Sequence, residues 1–360
     1  MTKNTSLGFA LVGCGRIARK HAQILGDGHI SGAHLVAVCD VKEERARSLG
    51  EKYGVPFYTD MHEMMRREDK NTSVVSVLTE SGLHAEVTLA LSRYKKHLVV
   101  EKPMALTLDD ADRMIRGCDE AGIKLFVVKQ NRYNMPVIKL REALTVGRFG
   151  KLVMGTVRVR WMRDQSYYDQ DEWRGSWALD GGVFANQASH HVDLLAWCLG
   201  EPVKVFAKTN TALVDIEVED TGVAVIEFKG GVLGVVEATT AARPKDIEGS
   251  ISILGEKGSV EIGGFAVNEM KTWNFTEALP SDDDVLKTYR ENPTDVYGFG
   301  HVAYLSHVVD VIHDRSSSLV DGVEGRKSLE LIAAIYESAE TGKEVVVGAP
   351  TPHVKLGKRS

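Results

Sequence analysis

Cysteine is scarce in this chain, four in 360 residues: Cys14, Cys39, Cys118 and Cys198. Their spacing matches no metal motif, and three fall in patterns that read as buried elements. They are therefore read as reduced core thiols of a cytoplasmic protein, not as a disulfide framework. Long apolar runs are missing too. Leu7–Val12 and Val74–Leu78 are far short of the roughly 20 residues a membrane span needs. The polar stretch Met1–Ser6 leads directly into a strand pattern, so no secretory signal is expected. Charge of one sign is nearly absent as a bias: 44 basic against 50 acidic residues give −6. Such a balance lends no support to nucleic-acid binding, although a small anionic ligand needs only a local cationic site. No internal repeat and no low-complexity segment interrupts the chain. What remains, 43% hydrophobic and 26% charged residues, is an ordinary globular composition with length for two domains.

The first third alternates short apolar runs with longer helical patterns. Leu7–Val12, His34–Cys39, Val74–Leu78, His97–Val100 and Lys124–Val128 read as strands. Between them, Arg16–Leu25, Glu43–Tyr53, His84–Ser92 and Leu108–Ala121 read as helices, a spacing that predicts βαβ units and a mainly parallel sheet. Near Gly150 the texture changes. Val153–Trp161, Val203–Lys208, Gly222–Phe228, Val232–Thr239, Gly249–Leu254 and Gly258–Ile262 are strand-like and split by short turns such as Gly230-Gly231. That predicts a large, open, mainly antiparallel sheet, interrupted by a helix over His190–Leu199 and followed by helices at Gly300–Ile312 and Gly325–Thr341. Asp282–Asp284 reads as a solvated loop. The fold class is α/β, with a domain over 1–130 and a second over 131–360, whose terminal helices either cover the second sheet or return to the first domain.

Gly13-Cys14-Gly15-Arg16-Ile17-Ala18 lies between the first strand and its helix. A bare GxGxxA match is weak; the context strengthens it, because Asp40 ends the next strand 25 residues after Gly15, near the expected offset of about 20. Gly13 permits the tight turn, Gly15 lets the backbone approach a pyrophosphate, and Ala18 lets the helix lie close to the sheet. The helix N-terminus favours an anion. Asp40 would accept hydrogen bonds from a ribose and repel a 2′-phosphate, which favours NAD over NADP. The Cys14, Arg16 and Ile17 backbone completes the expected cofactor turn.

Glu101-Lys102-Pro103 follows the fourth strand, at the end of the sheet where such folds bind ligands. Pro103 restricts Lys102, and the bond between them is open to a cis geometry. A second cluster runs Trp173-Arg174-Gly175-Ser176-Trp177, Asp180-Gly181-Gly182 and Asn186-Gln187-Ala188-Ser189-His190-His191-Val192-Asp193. Asn186 and His190 share a helix face if the helix begins by Asn186, and line its entry if it begins at Ser189. No zinc spacing is present, and no metal is expected.

Together these segments resemble the Gfo/Idh/MocA oxidoreductases over nearly the whole chain. The resemblance implies a Rossmann domain, a C-terminal α/β domain whose sheet serves substrate binding and oligomer contacts, and Lys102 and His190 as the catalytic pair. It also implies cofactor contacts from Thr79, His84, Glu101, Lys102 and Gln130. Members often carry an aspartate four residues before the histidine, where this chain has Asn186. Lys129-Gln130-Asn131-Arg132-Tyr133-Asn134, together with the Trp173 and Asn186 segments, narrows the resemblance to the WlbA/WbpB group. Those are UDP-N-acetylglucosaminuronate 3-dehydrogenases of bacterial O-antigen and lipopolysaccharide synthesis. The resemblance implies oxidation of a sugar 3-hydroxyl, NADH recycling by 2-oxoglutarate, and a homotetramer.

A substrate with a diphosphate and a carboxylate needs cations. Arg132, Arg163 and Arg174 are candidates because a guanidinium pairs with either group bidentately. Asn131, Tyr133, Asn186, Gln187, Lys102 and His190 are the remaining candidate substrate contacts. The aromatic cluster Trp161, Tyr167 and Tyr168 is read either as flanking the nucleotide or as core. Whether His190 or Lys102 takes the hydroxyl proton stays open at this level, as do an inositol or hexose dehydrogenase and an NAD-dependent glycoside hydrolase as alternative activities.

Overall fold

A computed structural model describes residues 6–291, 293 and 298–358. Residues 1–5 of the polar N-terminal lead lie outside them. The chain divides into two units, Met1–Val128 with His301–Arg326, and Lys129–Gly300 with Lys327–Ser360. Of the two placements open to the terminal helices, the segment 301–326 is grouped with the first unit.

In the first unit the strands are β1 (Leu7–Val12), β2 (Ala33–Cys39), β3 (Phe57–Tyr58), β4 (Val74–Val77), β5 (His97–Val100) and β6 (Leu125–Val127). They form one sheet in the order β3-β2-β1-β4-β5-β6, every pair parallel. β1 and β4 are buried at every residue, as continuous apolar runs covered on both faces must be. The helix Arg16–Gly26 buries Ala18, His21, Ala22 and Leu25, the stripe expected of a helix laid on a sheet. Thr107 starts the helix Leu108–Ala121 by accepting the Asp110 N–H at 3.1 Å, with Asp109 and Asp110 in the first turn. The returning segment docks on β6: the Val127 N–H donates to the Val320 carbonyl at 2.8 Å, and Asp321 bridges to Phe126. Strand order reverses direction between β1 and β4, and a ligand crevice opens at such a point, beyond the strands' carboxyl ends. In this unit the pattern reading did not include β3 or the helix Met61–Arg67, and in the second it did not include the helix Met135–Thr145 or the strand Glu269–Phe275.

The second unit carries β7 (Leu152–Arg160), β8 (Pro202–Asn210), β9 (Thr221–Phe228), β10 (Val232–Thr239), β11 (Glu248–Gly255), β12 (Gly258–Gly263), β13 (Glu269–Phe275) and β14 (Val345–Val346). Their order is β13-β12-β11-β7-β10-β9-β8-β14. All pairs are antiparallel except the central β7–β10 pair, which is parallel. On β9 the period of two is clean: Ala224, Ile226 and Phe228 are fully buried, while Val223 and Val225 are exposed. Gly230 and Gly231, both at positive φ, close the β9–β10 hairpin. The helix Ser189–Leu199 packs on the buried face, against β7, β10 and β11. Asp282–Asp284 is not a loop but the first turn of a helix, Asp282–Thr288. Three acids favour a helix N-terminus, and this short helix buries no residue, so no apolar stripe marks it in the sequence.

Among the described residues no helix is long and apolar enough to cross a membrane.

Candidate active site

The glycine turn begins where β1 ends. Gly13 has φ +96°, and a Cβ there would lie 2.6 Å from the carbonyl of Leu78, just past β4. Only glycine fits against that neighbouring strand end. A Cβ on Gly15, by contrast, would meet nothing within 4 Å, and Gly15 enters the helix Arg16–Gly26 without a side-chain cap. The open space before a helix N-terminus is the cradle a pyrophosphate fills. Arg16 is exposed there, Ile17 half-buried, and Ala18 fully buried against the sheet. Asp40 accepts the Cys14 N–H at 2.7 Å and the Lys42 N–H at 2.8 Å, so its carboxylate ties the end of β2 to the glycine turn. Each oxygen keeps a further lone pair for a ribose hydroxyl. Burial, then the Asp40 charge, push the Cys14 thiol up to about 12, which removes it from thiolate chemistry. These residues fit a dinucleotide.

Glu101, Lys102 and Pro103 follow β5, and the Lys102–Pro103 bond is cis. Glu101 is 6% exposed. Its Oε1 lies 3.2 Å from His21 Nε2, and its Oε2 accepts the Lys102 N–H at 3.1 Å. Burial alone would raise this carboxyl, but the His21 hydrogen bond and the nearby charges of His21, His301 and Lys102 bring it down to about 2. The Glu101 side chain is thus occupied inside the protein. The His84 side chain is occupied in the same way. It is 1% exposed, with Nδ1 2.8 Å from the Pro103 carbonyl and Nε2 3.0 Å from that of Thr79. Burial lowers its pKa despite those two carbonyls. Thr79 keeps a buried hydroxyl with no hydrogen-bond partner among the described residues, a group available to a ligand.

In the second unit, Gln130, Asn131, Arg132 and Tyr133 form a single 3-10 turn ahead of the helix Met135–Thr145. Gln130 Oε1 and Asn131 Oδ1 are buried without hydrogen-bond partners among the described residues. Burial raises the Tyr133 phenol. The Arg132 side chain is turned inward. Its Nε and Nη2 both reach Asp193, each at 2.8 Å, and its guanidinium lies 5.0 Å from the Trp197 ring centroid. Lys129 Nζ reaches the same carboxylate at 3.1 Å. Burial would raise Asp193, yet Arg132 and Lys129 hold it below the ordinary carboxylate range. A fork spent on an internal carboxylate is a structural cation.

Arg163 and Arg174 do come together. Both guanidiniums face the Tyr167 ring, at 5.3 and 4.7 Å from its centroid, and Arg174 Nη1 donates to the Tyr167 hydroxyl at 2.9 Å. Arg174 also lies over Trp173, at 4.5 Å. Asp246 and Asp171 balance the pair, at 3.1 Å from Arg163 and 3.6 Å from Arg174. Arg174 Nε is buried and makes no hydrogen bond among the described residues. Trp161 and Tyr168, each 6% exposed, are core: the indole N–H donates to the Phe265 carbonyl at 3.0 Å, and the Tyr168 hydroxyl meets Thr240 Oγ1 at 3.2 Å.

The helix carrying His190 begins at Ser189, so Asn186 belongs to the loop that enters it. Asn186 Nδ2 donates to Asp180 Oδ1, and Asp180 Oδ2 takes the Gly175 N–H at 2.8 Å. His190 and Gln187 are buried, 7% and 6% exposed. A second buried acid lies below this loop. Glu219 Oε1 accepts from the Tyr336 hydroxyl at 2.8 Å and from the Phe184 N–H at 3.1 Å, while Oε2 has no hydrogen bond among the described residues. A Cβ on Gly182 would fall 2.0 Å from Oε2. Burial drives the Glu219 carboxyl up to about 7, against the pull of those donors. Neither Glu219 nor His21 carries a spacing or motif that marks it in the sequence, and Asp180 stands there only as part of an Asp-Gly-Gly turn.

The comparisons with known proteins agree with this geometry. Residues 7–129 match the model of the oxidoreductase family with NAD-binding Rossmann fold, and residues 137–261 match the GFO/IDH/MocA C-terminal domain. A myo-inositol 2-dehydrogenase of Thermotoga maritima is 32% identical over 344 residues, 94% of this chain and 97% of that enzyme. Two solved structures are 40% identical: the WlbA dehydrogenases of Bordetella pertussis (TM-score 0.88, 96% of this chain and 99% of that one) and Chromobacterium violaceum (TM-score 0.89, 97% and 98%), both with NADH and UDP-GlcNAcA. The chain belongs to the Gfo/Idh/MocA oxidoreductase family and is an NAD-dependent dehydrogenase of sugars or polyols.

Proposed function

We propose that this enzyme oxidises the 3-hydroxyl of UDP-GlcNAcA to the 3-keto sugar, a step of bacterial surface-polysaccharide synthesis. The observation that carries the reading is the 40% identity, over nearly full length, to two WlbA dehydrogenases solved with that sugar nucleotide. The Arg163–Tyr167–Arg174 stack supports it, as a cationic site suited to a diphosphate or a carboxylate. NAD, when bound, accepts the hydride from the carbon bearing the hydroxyl. His190 takes the hydroxyl proton, and the Lys102 ammonium stabilises the negative charge that develops on the oxygen as the C–H bond breaks. One hydride and one proton leave per ketone formed. The acceptor role goes to His190 because imidazole is the side-chain type suited to taking a proton in general base catalysis.

Identity of 32% to a myo-inositol 2-dehydrogenase favours one competing reading, a free polyol as substrate. The test is product formation, read by mass spectrometry, from UDP-GlcNAcA, UDP-GlcNAc and myo-inositol, each with and without 2-oxoglutarate. A keto product from the uronic acid alone supports the proposal, and 2-hydroxyglutarate in the same tubes supports recycling. Turnover of myo-inositol alone rejects it. The enzyme is further proposed to be a homotetramer. The exposed face of the large sheet carries Phe206, Val225, Leu233 and Leu254, an apolar surface suited to a second copy. Val225→Glu should reduce the mass measured by light scattering; an unchanged mass would place the contact elsewhere.

A further inference from the structure

We infer that His21 is a positioning residue for Lys102, acting through Glu101, and that His84 holds the same tripeptide from its other end. The inference rests on the reading of Lys102 as the group that stabilises charge on the reacting oxygen. A lysine side chain is long and flexible, so the precision of its ammonium depends on how firmly its backbone is held. Here the Lys102 N–H donates to Glu101 Oε2 at 3.1 Å, a contact between adjacent residues that persists only if the carboxylate is held from elsewhere. His21 does that. Glu101, brought down to about 2, is ionised and can only accept, so His21 Nε2 is the donor across the 3.2 Å contact.

His21 is fully buried and sits on the helix Arg16–Gly26, the helix that the glycine turn opens. The chain of contacts therefore runs from the pyrophosphate helix through one imidazole and one carboxylate to the Lys102 amide. His301, from the helix Gly300–Ile312, backs it, its ring edge-on to His21 at 5.9 Å and 75°. At the other end of the tripeptide, His84 Nδ1 lies 2.8 Å from the Pro103 carbonyl, and the helix His84–Ser92 that carries it follows β4. Two helices, each starting beyond a different central strand, thus fix one tripeptide. Mutual distances among His21, Glu101 and His301 ligand atoms are all within 4.8 Å, so the trio is also a donor set that zinc accepts. The closed His21–Glu101 hydrogen bond and the second Glu101 oxygen on the Lys102 amide favour the strut.

Three variants of the full chain test it: His21→Leu, His21→Gln and Glu101→Gln. His21→Leu should lower kcat roughly tenfold or more with the substrate KM changed less than about threefold. His21→Gln keeps a donor and should recover most of the loss. In parallel, hydrogen exchange at the Lys102 amide should speed up roughly tenfold in His21→Leu, and a similar increase is expected in Glu101→Gln, where the charge-assisted contacts are lost. Exchange needs no substrate, so a wild type inactive on every sugar rejects the substrate reading while exchange still decides the strut. Unchanged exchange in His21→Leu overturns the inference. So does stoichiometric zinc, measured by elemental analysis, that is present in the wild type and lost in His21→Leu.

Discussion

Asp193 holds Arg132 through two parallel hydrogen bonds of 2.8 Å, and both side chains are nearly inaccessible, at 3% and 6% exposure. Arg132→Met should therefore act on stability. It leaves a buried carboxylate with Lys129 as its remaining cation, and breaking a buried pair from one side costs about 3–5 kcal/mol. Arg174→Ala removes a partly balanced cation beside Tyr167 and should instead raise the KM for an anionic substrate with a smaller loss of stability. Denaturant unfolding and steady-state kinetics on both variants separate the two roles; equal destabilisation would erase the distinction.

Glu219 makes a prediction about pH. Its carboxyl titrates at about 7 in the folded protein, up from an ordinary 4.5, so the native state keeps a proton that the unfolded chain releases. Between those values the native state binds more protons, and stability must fall as pH rises, by about 3 kcal/mol across the window. Below about 4.5 both states hold the proton, and above about 7 both have lost it, so the effect is flat outside. Glu219→Gln has no proton to lose. Its midpoint in denaturant should gain on the wild type steadily from pH 5 to pH 8; a constant difference would mean that Glu219 is ionised throughout.

The sequence carried the parallel sheet and the glycine turn because both are local: each strand is a short apolar run, and Gly13, Gly15 and Asp40 are spaced by one βαβ unit. The site was legible only in part. The ion pair of Arg132 could not be read from its motif, because its partner, Asp193, lies 61 residues away. The side-chain partners of Glu101 and His84 come from other elements, so no motif in the sequence announces them. His21 appears on a helix face at the spacing of a core residue, which is indistinguishable from an apolar position until Glu101, 80 residues on, is placed beside it. The helix Asp282–Thr288 was missed because, burying nothing of its own, it has no periodic stripe; Arg148 and Trp273 fix its first residue instead, with Arg148 Nη2 and Trp273 Nε1 each 2.7 Å from the Asp282 carboxylate.

The role proposed for Asp40 in cofactor preference rests on charge and shape together. Its oxygens already accept the Cys14 and Lys42 N–H groups, so the carboxylate is aimed and immobile. Asp40→Ala removes the repulsion of a 2′-phosphate and also loosens the glycine turn. The KM for NAD should rise and NADP should become a usable cofactor, narrowing the ratio of the two kcat/KM values by roughly tenfold or more. A variant that loses NAD turnover with no gain for NADP would show that Asp40 serves the turn alone.

Asn186 stands where related dehydrogenases often carry an aspartate, and the structure shows a carboxylate one contact away, on Asp180. Asp180 is fully buried and accepts from Asn186 Nδ2 and the Gly175 N–H. The amide is thereby oriented, its nitrogen toward Asp180 and its oxygen directed elsewhere. Asn186→Asp replaces the donor by a second acceptor, and two carboxylates in contact cannot both ionise cheaply. One of them must keep a proton in the folded state, so its pKa rises above the unfolded value of about 3.9. By the same linkage, the variant should approach wild-type stability near pH 4 and fall progressively behind it as the pH is raised through the elevated pKa. Glu219 feels the Asp180 charge, which raises its carboxyl, so the comparison is made in a Glu219→Gln background, where that group has no proton to lose. Thermal unfolding of the pair at pH 5 and pH 8 should show a gap that widens with pH; a gap of the same size at both would mean that Asp180 and the new carboxylate do not meet.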